Sequence, residues 1–397
     1  MTPLENVRVL EVSEAMAAPY CAMLLGDFGA DVIKVERRGA GDQSRGWGPP
    51  FISGESAYFL CCNRNKRSIT LDTKHVTGLE ILGRLIERAD VLILNQPSRA
   101  SLARRGLDPE TLCARHPRLI YCSVTGYGHT GPKTDRPGYD ILAQAEAGVM
   151  SFTGEPDGEP MRYPIAIADV TCAIYAALGI LAALLAREKT GRGQFLDMAL
   201  LDSQLTWLAN AASSYLNAGV EPRRLGNAHP SIVPYQPFRA GDGRYFIVAV
   251  GTEALWKKFC EVLGLSKTTE RDPRFATNRD RIEHREELVA QLDEIFRKQT
   301  ATTWLERFLA AEIPAAPLQT VAEALADLQA LARGAIVEIE HPAIGAAKSI
   351  ANPVKLSGTP VVYRLPPPRL GEHTEIILRE IGLEETEIRA AREGGAA

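Results

Sequence analysis

One apolar run, residues 165–186, constrains this 397-residue chain more than any other stretch. Its single charge is Asp169, and the run closes on Arg187, Glu188 and Lys189 ahead of Gly191. Cations in a last turn and a glycine just beyond it are the marks of a helix C-terminus, so the run reads as a buried helix with Asp169 where it begins. The length is nearly that of a membrane span. The Ala-rich composition and the interruptions at Thr171, Cys172 and Gly179 favour the core helix of a soluble protein. Two readings of Asp169 are compatible. It is an N-cap whose oxygen accepts a first-turn N–H, or a carboxylate held at the edge of an apolar pocket and used as a nucleophile.

The rest of the composition narrows the function. A net charge of −4 gives no broad attraction to nucleic acid or to an anionic membrane, so an anionic ligand must be held by local cations. The segment Met1-Thr2-Pro3-Leu4-Glu5-Asn6 shows no secretory pattern. The seven cysteines have neither disulfide-framework nor zinc spacing, which points to a reducing, cytoplasmic setting. The histidines are isolated, so no metal site is expected.

Along the chain, β-branched runs at 7–12, 31–36, 68–72, 89–95 and 119–124 alternate with helical stretches near 17–25, 78–88 and 109–115. That alternation predicts an α/β fold with a mostly parallel, Rossmann-like sheet covered on both faces. Ligands bind such sheets at the C-terminal ends of their strands, which singles out residues 13–20, 37–38, 95–96 and 125–131. No G-x-G-x-x-G follows the first strand, and neither a Walker A loop nor a G-x-S-x-G elbow occurs, so dinucleotide, nucleoside-triphosphate and α/β-hydrolase chemistry lose support. A turn-rich connector at 222–230 leads to strands at 235–238 and 245–250 and helices at 253–263, 281–298 and 301–311. The expected organisation is a large domain over 1–220, a smaller α+β domain over 226–325, and a segment over 330–397 that returns to the large one.

Specific motifs then appear in order: Pro19; Gly29-Ala30-Asp31-Val32-Ile33-Lys34-Val35-Glu36; Asn65-Lys66-Arg67-Ser68; Gly126-Tyr127-Gly128-His129-Thr130-Gly131-Pro132; Gly138-Tyr139-Asp140; Asp169; and Lys189-Thr190-Gly191-Arg192-Gly193-Gln194. Together they resemble the class III coenzyme A transferases, the formyl-CoA transferase and carnitine CoA-transferase family, over nearly the whole chain. The resemblance implies an interlocked homodimer with no permanently bound cofactor, acting on CoA thioesters and a small carboxylic acid. Asp169 matches the family's catalytic aspartate, which forms a mixed anhydride and then an aspartyl-CoA thioester.

By the same resemblance, CoA is expected at Ala15, Met16, Arg37, Leu71, Lys74, Asn95, Gln96, Arg104 and Tyr139. The glycine-rich loop that shields the intermediate in formyl-CoA transferase is poorly matched, since residues 248–253 hold one glycine. Residues 228–238 are similar to the branch using succinyl-CoA with glutarate, malate or itaconate, and Arg224, His229 and Ser231 are candidates for the substrate's distal carboxylate. An alpha-methylacyl-CoA racemase-like epimerase is the nearest rival. It needs a second base where this chain has Tyr139, and a phenol ionising near 10 is a poor base at neutral pH. His129, nearby, reads as a loop residue. A silent CoA-binding regulatory protein is the alternative from another class.

Overall fold

A computed structural model describes residues 1–95 and 98–397. Six strands, β1 (Arg8–Val12), β2 (Asp31–Arg37), β3 (Lys66–Leu71), β4 (Val91–Leu94), β5 (Ile120–Thr125) and β6 (Phe195–Ala199), form one sheet in the order β3-β2-β1-β4-β5-β6. Every pairing is parallel. The order reverses between β1 and β4, where adjacent connections leave in opposite directions and open a crevice at the strands' C-terminal ends. The sequence does not announce β6. Phe195-Leu196-Asp197-Met198-Ala199 is half exposed at the sheet edge and lacks the continuous apolar run of the inner strands.

Alternation of side chains assigns each strand two apolar faces. On one face Val9, Val32, Ile93 and Cys122 pack under α1 (Ala17–Asp27). On the other, Leu10, Val35, Leu92 and Tyr121 meet α2 (Val76–Glu87), α3 (Arg99–Arg104) and α4 (Pro109–Arg115), together with the chain's C-terminal helices. After α5 (Asp140–Glu146) comes α6 (Ile167–Thr190), the helix the apolar run foretold, ending at Gly191 with φ +70°. Small residues of α6, among them Ala173, Ala176 and Ala177, lie against Ala18, Cys21 and Ala22 of α1. A short α7 (Leu200–Leu205) follows β6.

The chain divides into two compact units: Met1–Val149, Arg162–Ala218 and Leu328–Ala397 form the first, and Met150–Met161 with Gly219–Asp327 the second. Residues 150–161, part of the 1–220 expectation, pack instead with the second unit. The Gly226 N–H donates to the Gly154 carbonyl (3.0 Å), and Arg224 donates to the carbonyls of Ser151 (3.1 Å) and Glu155 (3.3 Å). The second unit has its own core, with Phe238, Phe246, Phe296 and Trp304 between a three-stranded antiparallel sheet and helices. The helix expected over 281–298 is two, Asn278–Glu283 and Arg285–Phe296, broken at His284.

In the first unit the Asn65-Lys66-Arg67-Ser68 motif anchors the returning C-terminal segment. Asn65 Oδ1 accepts the N–H groups of Arg364 and Leu365, its Nδ2 donates to the Val362 carbonyl, and Arg67 pairs with Glu380 (2.8 Å).

Candidate active site

The crevice between β1 and β4 opens into a cavity of about 510 Å³ at the C-terminal edge of the sheet. Ala15 and Met16 follow β1, Arg37 ends β2, Leu71 ends β3 with Lys74 just beyond, and Asn95 follows β4; all six line it. Tyr139 and Asp169 complete the set of expected residues found on its wall. Two of the motifs meet here by backbone contact. A Cβ on Gly126 would sit 2.5 Å from the Gly138 Cα, so only glycine at both positions lets the chain after β5 cross the segment leading to Tyr139.

Asp169 is the third residue of α6 and does not cap it. The cap position is Ala166, with no side-chain bond, and the first-turn N–H of Ala168 is taken from outside by Asp140 Oδ1 at 2.8 Å. Asp140 Oδ2 in turn accepts from Gln144 (2.7 Å), which fixes the acid between α5 and α6. Relieved of capping, the Asp169 carboxylate makes no hydrogen bond or ion pair among the described residues. Burial, helped by the neighbouring Asp140 charge, pushes its carboxyl up to about 7. Burial and the Asp169 charge also raise the Tyr58 phenol above its ordinary range, and its ring meets Trp47 of the cavity wall edge-on at 4.8 Å.

Beneath the cavity lies a buried ionic network built on Lys34, Glu36 and Lys66, residues of the motifs that carry the family resemblance, whose ion pairs the sequence does not show. Glu11 of β1 stands in register with Lys34 of β2, and Lys34 binds both Glu11 (2.7 Å) and Asp42 (2.9 Å). Lys66 of β3 reaches the same Glu11 (2.8 Å), and these side chains are fully buried. Glu36 accepts from Arg45 (2.7 Å), Ser68 (2.6 Å) and the Asp42 N–H (3.0 Å). The two lysines hold the Glu11 carboxyl below its ordinary range against the cost of burial. The network ends in a backbone job, since Asp42 Oδ1 accepts the N–H of Ala15 (3.0 Å), a non-glycine residue held at φ +73°.

Asn95 works on the same turn. Its Nδ2 donates to the Glu14 carbonyl (2.6 Å), and its Oδ1 accepts the Glu14 N–H (3.2 Å). Both polar ends of the amide are therefore engaged in shaping the wall.

The cations divide differently from the sequence expectation. Arg104, last in α3, is exposed and absent from the cavity wall; Arg105 takes the place assigned to it. The helix ends between the two, and the chain turns there so that Arg105 points back, its Nη1 reaching Thr73 Oγ1 (3.4 Å) and its Nε the Ser101 carbonyl (3.2 Å). Arg37 is paired with Glu14, whereas Lys74 is exposed with no acidic partner among the described residues. Gln96 lies outside the described residues.

Arg224, His229 and Ser231 belong to the second unit. There Arg224 holds backbone carbonyls, and His229 Nδ1 accepts the Ser231 N–H (3.0 Å). His129 is buried at β5, its Nε2 2.7 Å from Ser123 Oγ, and no histidine lines the cavity among the described residues.

Sheet and cavity together define an α/β enzyme whose ligand site lies at the switch point of a parallel sheet, with a desolvated carboxyl in its wall. The sequence matches CoA-transferase family III over residues 4–374. It is 42% identical over 385 residues to a succinate–glutarate CoA-transferase of Agrobacterium fabrum, covering 96% of each chain. It is 40% identical over 381 residues to a succinyl-CoA:glutarate CoA-transferase of Mus musculus, covering 96% of this chain and 87% of the relative. The crystal structure of a CAIB/BAIF family protein from Brucella suis superposes with a TM-score of 0.86 at 42% identity, covering 96% of this chain and 99% of that one. The chain belongs to CoA-transferase family III, and it is a CoA-transferase.

Proposed function

We propose that this enzyme moves coenzyme A from succinyl-CoA to glutarate or a similar dicarboxylate such as malate or itaconate, with Asp169 as the covalent carrier. The Asp169 carboxylate attacks the donor thioester, the C–S bond breaks, and a mixed anhydride and CoA thiolate result. The thiolate attacks the aspartyl carbonyl, releasing succinate and leaving an aspartyl-CoA thioester. The acceptor carboxylate displaces the thiolate to give a second anhydride. Thiolate attack on the acceptor's acyl carbon then frees Asp169 and the new acyl-CoA. Thioester and carboxylate change places, so the exchange is nearly isoenergetic and needs no nucleoside triphosphate.

One observation carries this reading: the Asp169 carboxyl faces the cavity without a hydrogen-bond partner among the described residues, at about 7. A carboxylate stripped of water is a stronger nucleophile than a hydrated one, and the cost of holding it so is met by binding the remote parts of the substrate. Arg37, Lys74 and Arg105 supply local positive charge for the phosphates of CoA. Leu71, Met16 and Ala15 offer apolar wall, Asn95 shapes it, and Tyr139 stands at the rim, 55% exposed.

Arg224, His229 and Ser231 remain candidates for the acceptor's distal carboxylate. Ile174, Leu178 and Leu185 form an exposed apolar stripe on α6, which supports a second copy covering it in an interlocked homodimer. The free cysteines fit a cytoplasmic setting. The test is to incubate the protein with succinyl-CoA and glutarate and to follow glutaryl-CoA by mass spectrometry. Hydroxylamine should trap a hydroxamate on Asp169, and Asp169→Ala should abolish both signals; undiminished turnover in that variant refutes the mechanism.

A further inference from the structure

One of the cations on the cavity wall is already occupied. Arg37 Nε lies 2.8 Å from Glu14 Oε1 and its Nη2 donates to Oε2 at 3.0 Å, a two-pronged pair in which both side chains belong to the cavity wall. Such a fork is the geometry in which a guanidinium holds a phosphate. Glu14 is not there by accident of a mobile surface chain. Its backbone is gripped on both sides by Asn95, and the next N–H by Asp42, which is itself locked by buried Lys34. The two ends of the pair differ in freedom: the Arg37 side chain is 60% exposed, the Glu14 side chain 31%. Burial lifts the Glu14 carboxyl above its ordinary range even with Arg37 beside it, so the acid gains little from where it is kept. Lys74, on the wall of the same cavity, is left without such a partner among the described residues.

We propose that Glu14 is a built-in competitor for the CoA phosphate at Arg37: a carboxylate fixed in the phosphate's place, which the incoming ligand must displace and which retakes the arginine when the ligand leaves. The inference rests on the reading of Arg37 as a phosphate-binding residue. One consequence follows for function: affinity for CoA is held below what the cations alone would give, which favours release of the product thioester. A thioester without phosphates does not contest Arg37, so its binding is indifferent to the pair.

The experiment measures CoA binding by calorimetry for the full-length enzyme and for Glu14→Gln, Arg37→Gln and the double variant, with the KM of succinyl-pantetheine as a control lacking phosphates. Asn95 holds Glu14 by its backbone, while the carboxyl also meets the Gln43 backbone, so Glu14→Ala serves beside the isosteric Glu14→Gln as a second variant with the same expectation. Removing the competitor tightens CoA binding about three-fold or more, the order expected for one partly exposed ion pair. Arg37→Gln weakens binding about ten-fold. The Glu14 substitution has no effect on CoA once Arg37 is gone, and none on succinyl-pantetheine in either background. If Arg37→Gln weakens CoA binding but loss of the Glu14 carboxylate weakens it too, or leaves it unchanged, competition is refuted while the phosphate reading stands. Equal changes for CoA and succinyl-pantetheine refute it as well, by showing that the turn was distorted. If Arg37→Gln leaves CoA binding unchanged, the phosphate reading fails and the inference falls with it.

Discussion

Replacing Asp169 by Asn tests the central claim, that a carboxyl is kept desolvated at a cost to the fold. An aspartate in the unfolded chain ionises near its ordinary 3.8, while this one ionises at about 7 in the native protein. Between those values the native state binds more protons than the unfolded state. Stability is therefore lost as pH rises from about 4 towards 7, and the full penalty persists above it. The gap corresponds to roughly 4 kcal/mol, and because Asp169 is half-buried against an open cavity, about 2 kcal/mol is the realistic figure. Asn removes the ionisation but keeps the shape. Urea unfolding of both proteins at about pH 4.5 and at about pH 8 should therefore show the variant gaining about 2 kcal/mol on the parent between the two. Comparing two pH values cancels any fixed cost of the buried amide. A stability difference that stays constant across that range refutes the reasoning. The same carboxyl should appear in catalysis as a fall in kcat/KM below about pH 7.

Three further outcomes follow from neighbouring residues. Lys34→Met leaves Glu11 and Asp42 buried without their shared cation, and it should cost about 3–5 kcal/mol in urea unfolding. Arg105→Gln should raise the KM for succinyl-CoA about ten-fold, while Arg104→Gln, on the exposed end of its helix, should change it less than two-fold in the same steady-state assay. Asp140→Asn removes a negative charge that helps keep Asp169 protonated, so the acid limb of the kcat/KM profile should move to lower pH; a limb that stays at about 7 assigns the whole effect to burial.

The sequence by itself determined the parallel sheet and the long helix, because both are written in local periodicity and in residues that end elements, such as Gly191 beyond α6. It also put on one cavity wall the candidates that directly follow strands, since the C-terminal ends of a parallel sheet converge wherever the strands lie. Edge strand β6 stayed hidden because half exposure erases the apolar run. Tertiary structure alone decided what those residues do. Lys34 and Glu36 stand in a strand and in a motif, but only the sheet brings Glu11, Lys66 and Asp42 around them, and only the fold closes the amide of Asn95, a candidate ligand contact, on Glu14. Arg105 replaces Arg104 because a helix ending one residue earlier turns the other side chain inward. Asp169 looks like a cap until Asp140, 29 positions away in sequence, takes the first-turn amide and leaves it free to face the cavity. Each of these depends on charges and backbone groups far apart in the chain competing for the same partner, and local sequence carries no record of who wins.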